Sequence, residues 1–252
     1  MDQNVFNVKV FKVGESDVPA PEVYRMSGWG NWETLHFHMI MAYNDETNFL
    51  INTGMPVDLE ERNRAMFKFA GSRARFTSGD SIEILREAGF KAKDIENISF
   101  TPLQDYTTGR ADEFNNATYH ILKNGWINDI MVPSYHNGDR NLFIPEKVLQ
   151  YLLFGAKDRI KFFDAENIIE LVPGISALWV GCHHRASLAF IIRTGKGNII
   201  FTDASFKSSN ILKNIPMGIA ENIFECYSAY NKLKSYTNVL SAYDPDIDGL
   251  EF

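Results

Sequence analysis

Apolar and polar positions along this chain mostly alternate in short runs broken by turn residues, and only a few stretches carry helical spacing. NVKVFKVG alternates from Asn7 and stops on Gly14, which predicts a strand. LHFHMIMAY (Leu35 to Tyr43) and NFLINTG (Asn48 to Gly54) flank the turn NDET and predict a β-hairpin. Helical spacing follows over 58–70 and 80–88. In the second stretch Ile82, Leu85 and Ala88 share a face, Asp80 stands at the N-cap position and Gly89 at the stop. ISFTP then reads as a buried strand and ATYHILK (Ala117 to Lys123) as another.

The second half repeats this style. A helix is predicted over 145–154, with Pro145 in its first turn. Strands follow at RIKFFD, NIIELVPG, ISALWVG, SLAFIIRT and GNIIFTDAS, the last two joined by the hairpin turn TGKG. A helix over about 218–234 precedes a final strand, NVLSAYDP. Two β-rich blocks, each closed by helices, predict an α/β (α+β) protein: a four-layer αββα sandwich formed as one domain over residues 1–252.

Composition narrows the function more than the fold. The chain has 252 residues, 45% of them hydrophobic and 23% charged, enough to bury a core without staples. The net charge of −7, with no dense Lys/Arg cluster, argues against a nucleic-acid partner. No run of 18 apolar residues and no signal-like N-terminus is present, so neither a membrane span nor secretion is expected. Cys182 and Cys226 are too few for a disulfide framework, and a reducing, cytoplasmic setting is the simpler expectation.

Several ordered stretches then acquire a meaning together. NFLINTGMPVD, ISFTPLQDYTTGRADEFNNATYHI, ELVPGISALWVGCHHRASLAFIIRTGKGNIIFTDASF and the closing AENIFECYSAYNKLKSYTNVLSAYDPDI resemble, in order and spacing, the successive motifs of the metallo-β-lactamase fold hydrolases. The approach AGFKAKDIENI resembles the segment that leads to their first metal motif, and the style is nearest the N-acyl-homoserine-lactonase-like members. The resemblance runs from about Leu35 onwards and implies the metallo-β-lactamase type of sandwich.

It also implies a metal site that this chain does not spell. The family's first motif supplies three His and one Asp to a metal pair, and the matching positions here are Pro102, Gln104, Tyr106 and Thr107. The next His matches His183, the bridging Asp matches Asp203, the last His falls on Tyr243, and the Asp of the LxDTG segment falls on Asn52. A hydrolytic zinc site needs about three protein ligands and an open position. No ordinary dinuclear zinc site and no cofactor is therefore expected, with at most a weak single metal at His183 and Asp203.

Other residues offer themselves as replacements. Asp105, one position before the family's Asp, either turns inward or caps its own turn. Arg110 and Arg185 would bring positive charge to the former metal cleft and bind an anion, or else stand exposed. His136, in the polar loop SYHNGDR, is a candidate substrate contact, and Gln104 another. Tyr106 and Tyr243 either fill the void or join His183 and Asp203 as an acid/base set. His36 and His38 share one strand face, metal-like in spacing but outside the family motifs, and His120 reads as structural. Cys182 reads as buried and inert. Trp29 and Trp32, in SGWGNWE, would line an apolar ligand mouth, form a homodimer contact or pack on the core.

The function expected is hydrolase-like acid/base chemistry, or lyase chemistry, on a small carbonyl, ester or lactone-like compound without the usual zinc pair. His183 would be the general base, Asp203 its orienting partner, and Tyr106 and Tyr243 the proton donors. The alternatives are a non-catalytic small-molecule-binding protein and a structural subunit on the same fold.

Overall fold

A computed structural model describes residues 4–131 and 144–252. Among them, β1 (Asn7–Pro19), β2 (Trp32–Tyr43), β3 (Asn48–Ile51), β4 (Thr77–Ser78), β5 (Asn97–Ser99), β6 (Thr118–Leu122) and β7 (Ile160–Phe163) form one sheet in the order β4-β1-β2-β3-β5-β6-β7. A second sheet holds β8 (Ile169–Val172), β9 (Ile175–Trp179), β10 (Leu188–Thr194), β11 (Gly197–Thr202) and β12 (Asn238–Ser241) in the order β12-β11-β10-β9-β8. The sheets face each other across one apolar core, where Phe49 of β3 meets Phe190 of β10 with ring centroids 6.3 Å apart. Helices complete the αββα sandwich, as the order of patterned segments predicts.

Predicted elements shift mainly at their ends. β1 does not stop at Gly14 but runs on to Pro19, with a change of register against β2 between Lys12 and Gly14. Gly14 suits this bulge because a Cβ there would lie 2.5 Å from the Thr77 carbonyl of β4. The helix expected from about 218 starts at Ile223, because the Asn222 side chain accepts from the backbone N–H of Phe224 and Glu225. The sequence pattern predicts neither the Ser208–Lys213 helix, nor the short helices Ala20–Val23 and Asp105–Thr108, nor the turns running from Lys123 to Met131. The hairpins 43–48 and 194–197 stand where predicted, pairing Tyr43 with Asn48 and Thr194 with Gly197.

The cysteines correct the sequence reading. Cys182 and Cys226 are bonded as a disulfide, with Cα atoms 4.8 Å apart. The bond ties the loop after β9 to the Ile223–Leu233 helix and removes the ground on which a reducing compartment was expected. Among the described residues no helix is long and apolar enough to cross a membrane.

Candidate functional site

β5 delivers Thr101 and the turn that follows to the open end of both sheets. The turn is closed by its own residues. Thr107 Oγ1 donates to the Pro102 carbonyl at 2.6 Å, and the Gln104 N–H reaches the same hydroxyl at 3.1 Å. Thr107 is thus spent on local geometry. Asn52, in the left-handed region at φ +66°, accepts from the Thr101 N–H at 2.9 Å through its side-chain oxygen. It thereby fixes the end of β5 against β3. Gly109 lets the turn press on Pro56, whose nitrogen would lie 2.1 Å from a Cβ at this position.

Opposite this turn, the end of β11 buries Asp203 completely. Its carboxylate accepts from the hydroxyls of Thr101 and of Ser187, the latter at 2.6 Å, and lies 3.2 Å from His183 Nδ1. A carboxylate partner assigns the proton to Nδ1, which leaves the Nε2 lone pair of His183 bare. The contact with Asp203 is the hydrogen bond this ring makes among the described residues, and it uses Nδ1. The ring is clamped edge-on by Phe206 at 4.8 Å and Tyr243 at 6.0 Å.

Tyr243 and Tyr106 meet through their hydroxyls at 3.4 Å, over the ring of Phe37. Burial pushes both phenols above their ordinary pKa, and at Tyr243 the neighbouring Tyr106 and Asp203 add to the effect. Both stay neutral and able to donate. The structure therefore brings Tyr106, Tyr243, His183 and Asp203 into one cluster.

The cation beside this cluster is Arg62, which the sequence reading did not single out. It projects from the Glu60–Ala70 helix, forms a two-pronged ion pair with Asp105 (Nε to Oδ2 3.0 Å), and donates to Gln104 Oε1 at 3.3 Å. Its guanidinium lies 5.2 Å from the centroid of the Tyr106 ring. Desolvation acts against this cation and Asp105 more than offsets it, so its pKa is raised. Burial pushes the Asp105 carboxyl up, and Arg62 pulls it back. Asp105 is thus neither solvated nor free to turn toward His183.

The remaining candidates have other engagements. Arg110 donates to Asp80 at 2.7 Å and shares a cleft of about 430 Å³ with Arg62, Asp105, Asp112 and Lys147. Arg185 is held by Glu221 at 2.7 Å and by Glu225 at 2.6 Å, so its charge is matched on its own side. His36 and His38 share the two oxygens of Asp248, at 2.8 and 2.7 Å, and pin the C-terminal turn to β2. His120 is buried against Phe49 and bonded to Asn97, a structural place. His136 lies outside the described residues.

The donors fit a hydrolytic zinc centre poorly. Asp203 already receives two hydroxyls and an imidazole, Asp105 is committed to Arg62, and Gln104, Tyr106 and Thr107 are neutral. Among the described residues no three His, Cys, Asp or Glu side chains converge on one point. Arg62 brings a positive charge into the same cluster.

Comparison with known proteins places the architecture. No protein-family model matches the chain, and no curated protein is similar to it. Solved structures do match over nearly all of it. An N-acyl homoserine lactone hydrolase, with the product N-hexanoyl-L-homoserine bound at its catalytic metal centre, superposes with TM-score 0.76 at 17% identity, covering 96% of this chain and 94% of the other. A quorum-quenching N-acyl homoserine lactone lactonase gives 0.75 at 18% identity, with 98% and 95% covered. A hydrolase of the β-lactamase superfamily gives 0.68 at 14% identity, with 96% and 88% covered. The chain has the metallo-β-lactamase fold, and its structural neighbours include lactonases.

Proposed function

We propose that this protein is a hydrolase-like enzyme that acts on a small ester or lactone-like compound by acid/base chemistry, without the zinc pair. The observation that carries the reading is the bond from His183 Nδ1 to Asp203, which leaves Nε2 bare beside two neutral phenols. In this role Nε2 takes a proton from water attacking the substrate carbonyl, and Asp203 holds the tautomer and stabilises the imidazolium. Tyr243 and Tyr106 donate hydrogen bonds to the developing oxyanion. The lactonase neighbours suggest the substrate class; the proton route rests on this chain's own residues.

A second reading has its own support. His183, Tyr243, Gln104 and Tyr106 are each no more than 8% exposed, and Arg62 packs over the cluster. A site so filled also suits a protein that has kept the fold and lost turnover.

One experiment separates the two. Purified protein is assayed on γ-lactones and nitrophenyl esters in excess chelator. The catalytic reading expects turnover that survives the chelator, falls about 100-fold or more in His183→Ala, and falls by a smaller factor in Tyr243→Phe. Turnover that is abolished by chelator and restored by zinc overturns the metal-free mechanism. Full activity in His183→Ala overturns the base, and absence of turnover on the whole panel favours the non-catalytic reading.

A further inference from the structure

Away from this cluster, the N-terminal turn and the end of the Glu60–Ala70 helix enclose a groove of about 320 Å³, lined by Pro19, Pro21, Trp29, Trp32, Phe69 and Ile219. Trp29 is 69% exposed and Phe69 67%, so two large rings stand in water at its mouth. Glu22 also lines the groove. It is only 8% exposed, yet its Oε1 has no hydrogen-bond partner among the described residues. Burial alone pushes this carboxyl up to about 7. A buried carboxyl oxygen left without a donor costs roughly 1–3 kcal/mol, and such groups in folded proteins call for an explanation.

The chemistry around the groove narrows what would supply the missing donor. Arg73, which reaches the groove wall at Trp32, is already engaged: its guanidinium lies over that ring at 4.8 Å and donates to Asp17 at 3.0 Å. Trp32 thus already receives a cation on its face, while the ring of Trp29 stands open. A partner suited to this place carries N–H donors and positive charge for Glu22, and an apolar body for Trp29 and Phe69. The volume is at the lower end for ligand pockets, which suits a small molecule rather than a folded segment.

We propose that this groove is a binding site for a small organic ammonium ion, a primary or secondary amine with an aromatic or branched apolar body. Its N–H donates to Glu22, and its body packs on Trp29 and Phe69. The site is independent of the hydrolase reading and stands or falls separately from it.

The test uses the full chain and 2-phenylethylamine as probe, with 2-phenylethanol as the uncharged control of the same shape. Titration is followed by calorimetry at about pH 8, where the Glu22 carboxylate is mostly ionised. The expected result is saturable binding of the amine, about tenfold or more tighter than the alcohol. Glu22→Gln should abolish that preference, and Trp29→Ala should weaken the amine about tenfold. Trp29 is exposed enough that its replacement leaves the fold intact, so the test survives even if Glu22→Gln fails to fold. Equal affinity for amine and alcohol, no saturation by either probe, or unchanged amine binding in Trp29→Ala overturns the site.

Discussion

Arg62 shows what residue-level reading can and cannot reach. Its position in a helix is legible, but nothing in the sequence links it to Asp105, 43 residues later. The sequence suggests Arg110 and Arg185 as cations near the former metal position; Asp80 and Glu225 hold those, and Arg62 enters from another element. Tyr106, Tyr243, His183 and Asp203, in contrast, are the positions that the family resemblance matches to one site, and they are in contact. The Arg62 and Asp105 side chains are 11% and 6% exposed. Removing one member of such a pair strands the other, at a cost of about 3–5 kcal/mol, whereas replacing both by apolar residues is often nearly neutral. Urea unfolding of Arg62→Met should show a loss of that size. The double variant Arg62→Met with Asp105→Leu should return to within about 1 kcal/mol of the parent chain. A single-variant loss below that last figure would show that the pair does not hold the turn.

At the scale of elements, the loop that presents His183 depends on a tie the sequence did not disclose. Two cysteines permit a single pairing, but whether it forms is set by a Cα separation that only the packed helix and loop create. Cys182 sits at φ +75°, and its N–H donates to Glu225 Oε2 at 2.9 Å, so the loop is fastened to the helix by a covalent bond and a hydrogen bond. The Ser208–Lys213 helix is illegible in the sequence for a related reason. It is only 6 residues long, too short for a periodic signal, and it is anchored by buried Asn210 donating to the carbonyls of Val23 and Ile215. Cys226→Ser should lower stability by about 2–4 kcal/mol. Amide exchange should speed up in residues 181–187 more than in the hairpin 194–197. Equal denaturation curves for untreated and thiol-reduced protein would mean that the bond is absent in solution.

For the whole molecule, the succession of strands and helices was enough to predict the layers. The strand order was not, because the β4–β1 and β11–β12 neighbours join distant segments. Burial of titratable groups, invisible in sequence, then sets the pH response. Burial lowers His120 and His184 to about 4, aided by Lys161 and His183 respectively, and raises Glu22 and Asp129 to about 7, with Glu221 adding to the rise at Asp129. Between about pH 5 and 6 the unfolded chain holds a proton on each histidine that the folded chain lacks, which makes stability rise with pH. Over the same window the folded chain holds a proton on each of the two carboxyls that the unfolded chain lacks, which makes stability fall with pH. Two groups oppose two, so the parent protein should show a nearly flat stability from these sources across that window. Glu22→Gln removes one falling contribution, so its stability should climb with pH there by about 1 kcal/mol per unit after solvent screening. His120→Gln should tilt the profile the other way by a similar amount. Urea midpoints measured at successive pH values decide it: parallel profiles for the parent and both variants would mean that these groups titrate alike in the folded and unfolded chains.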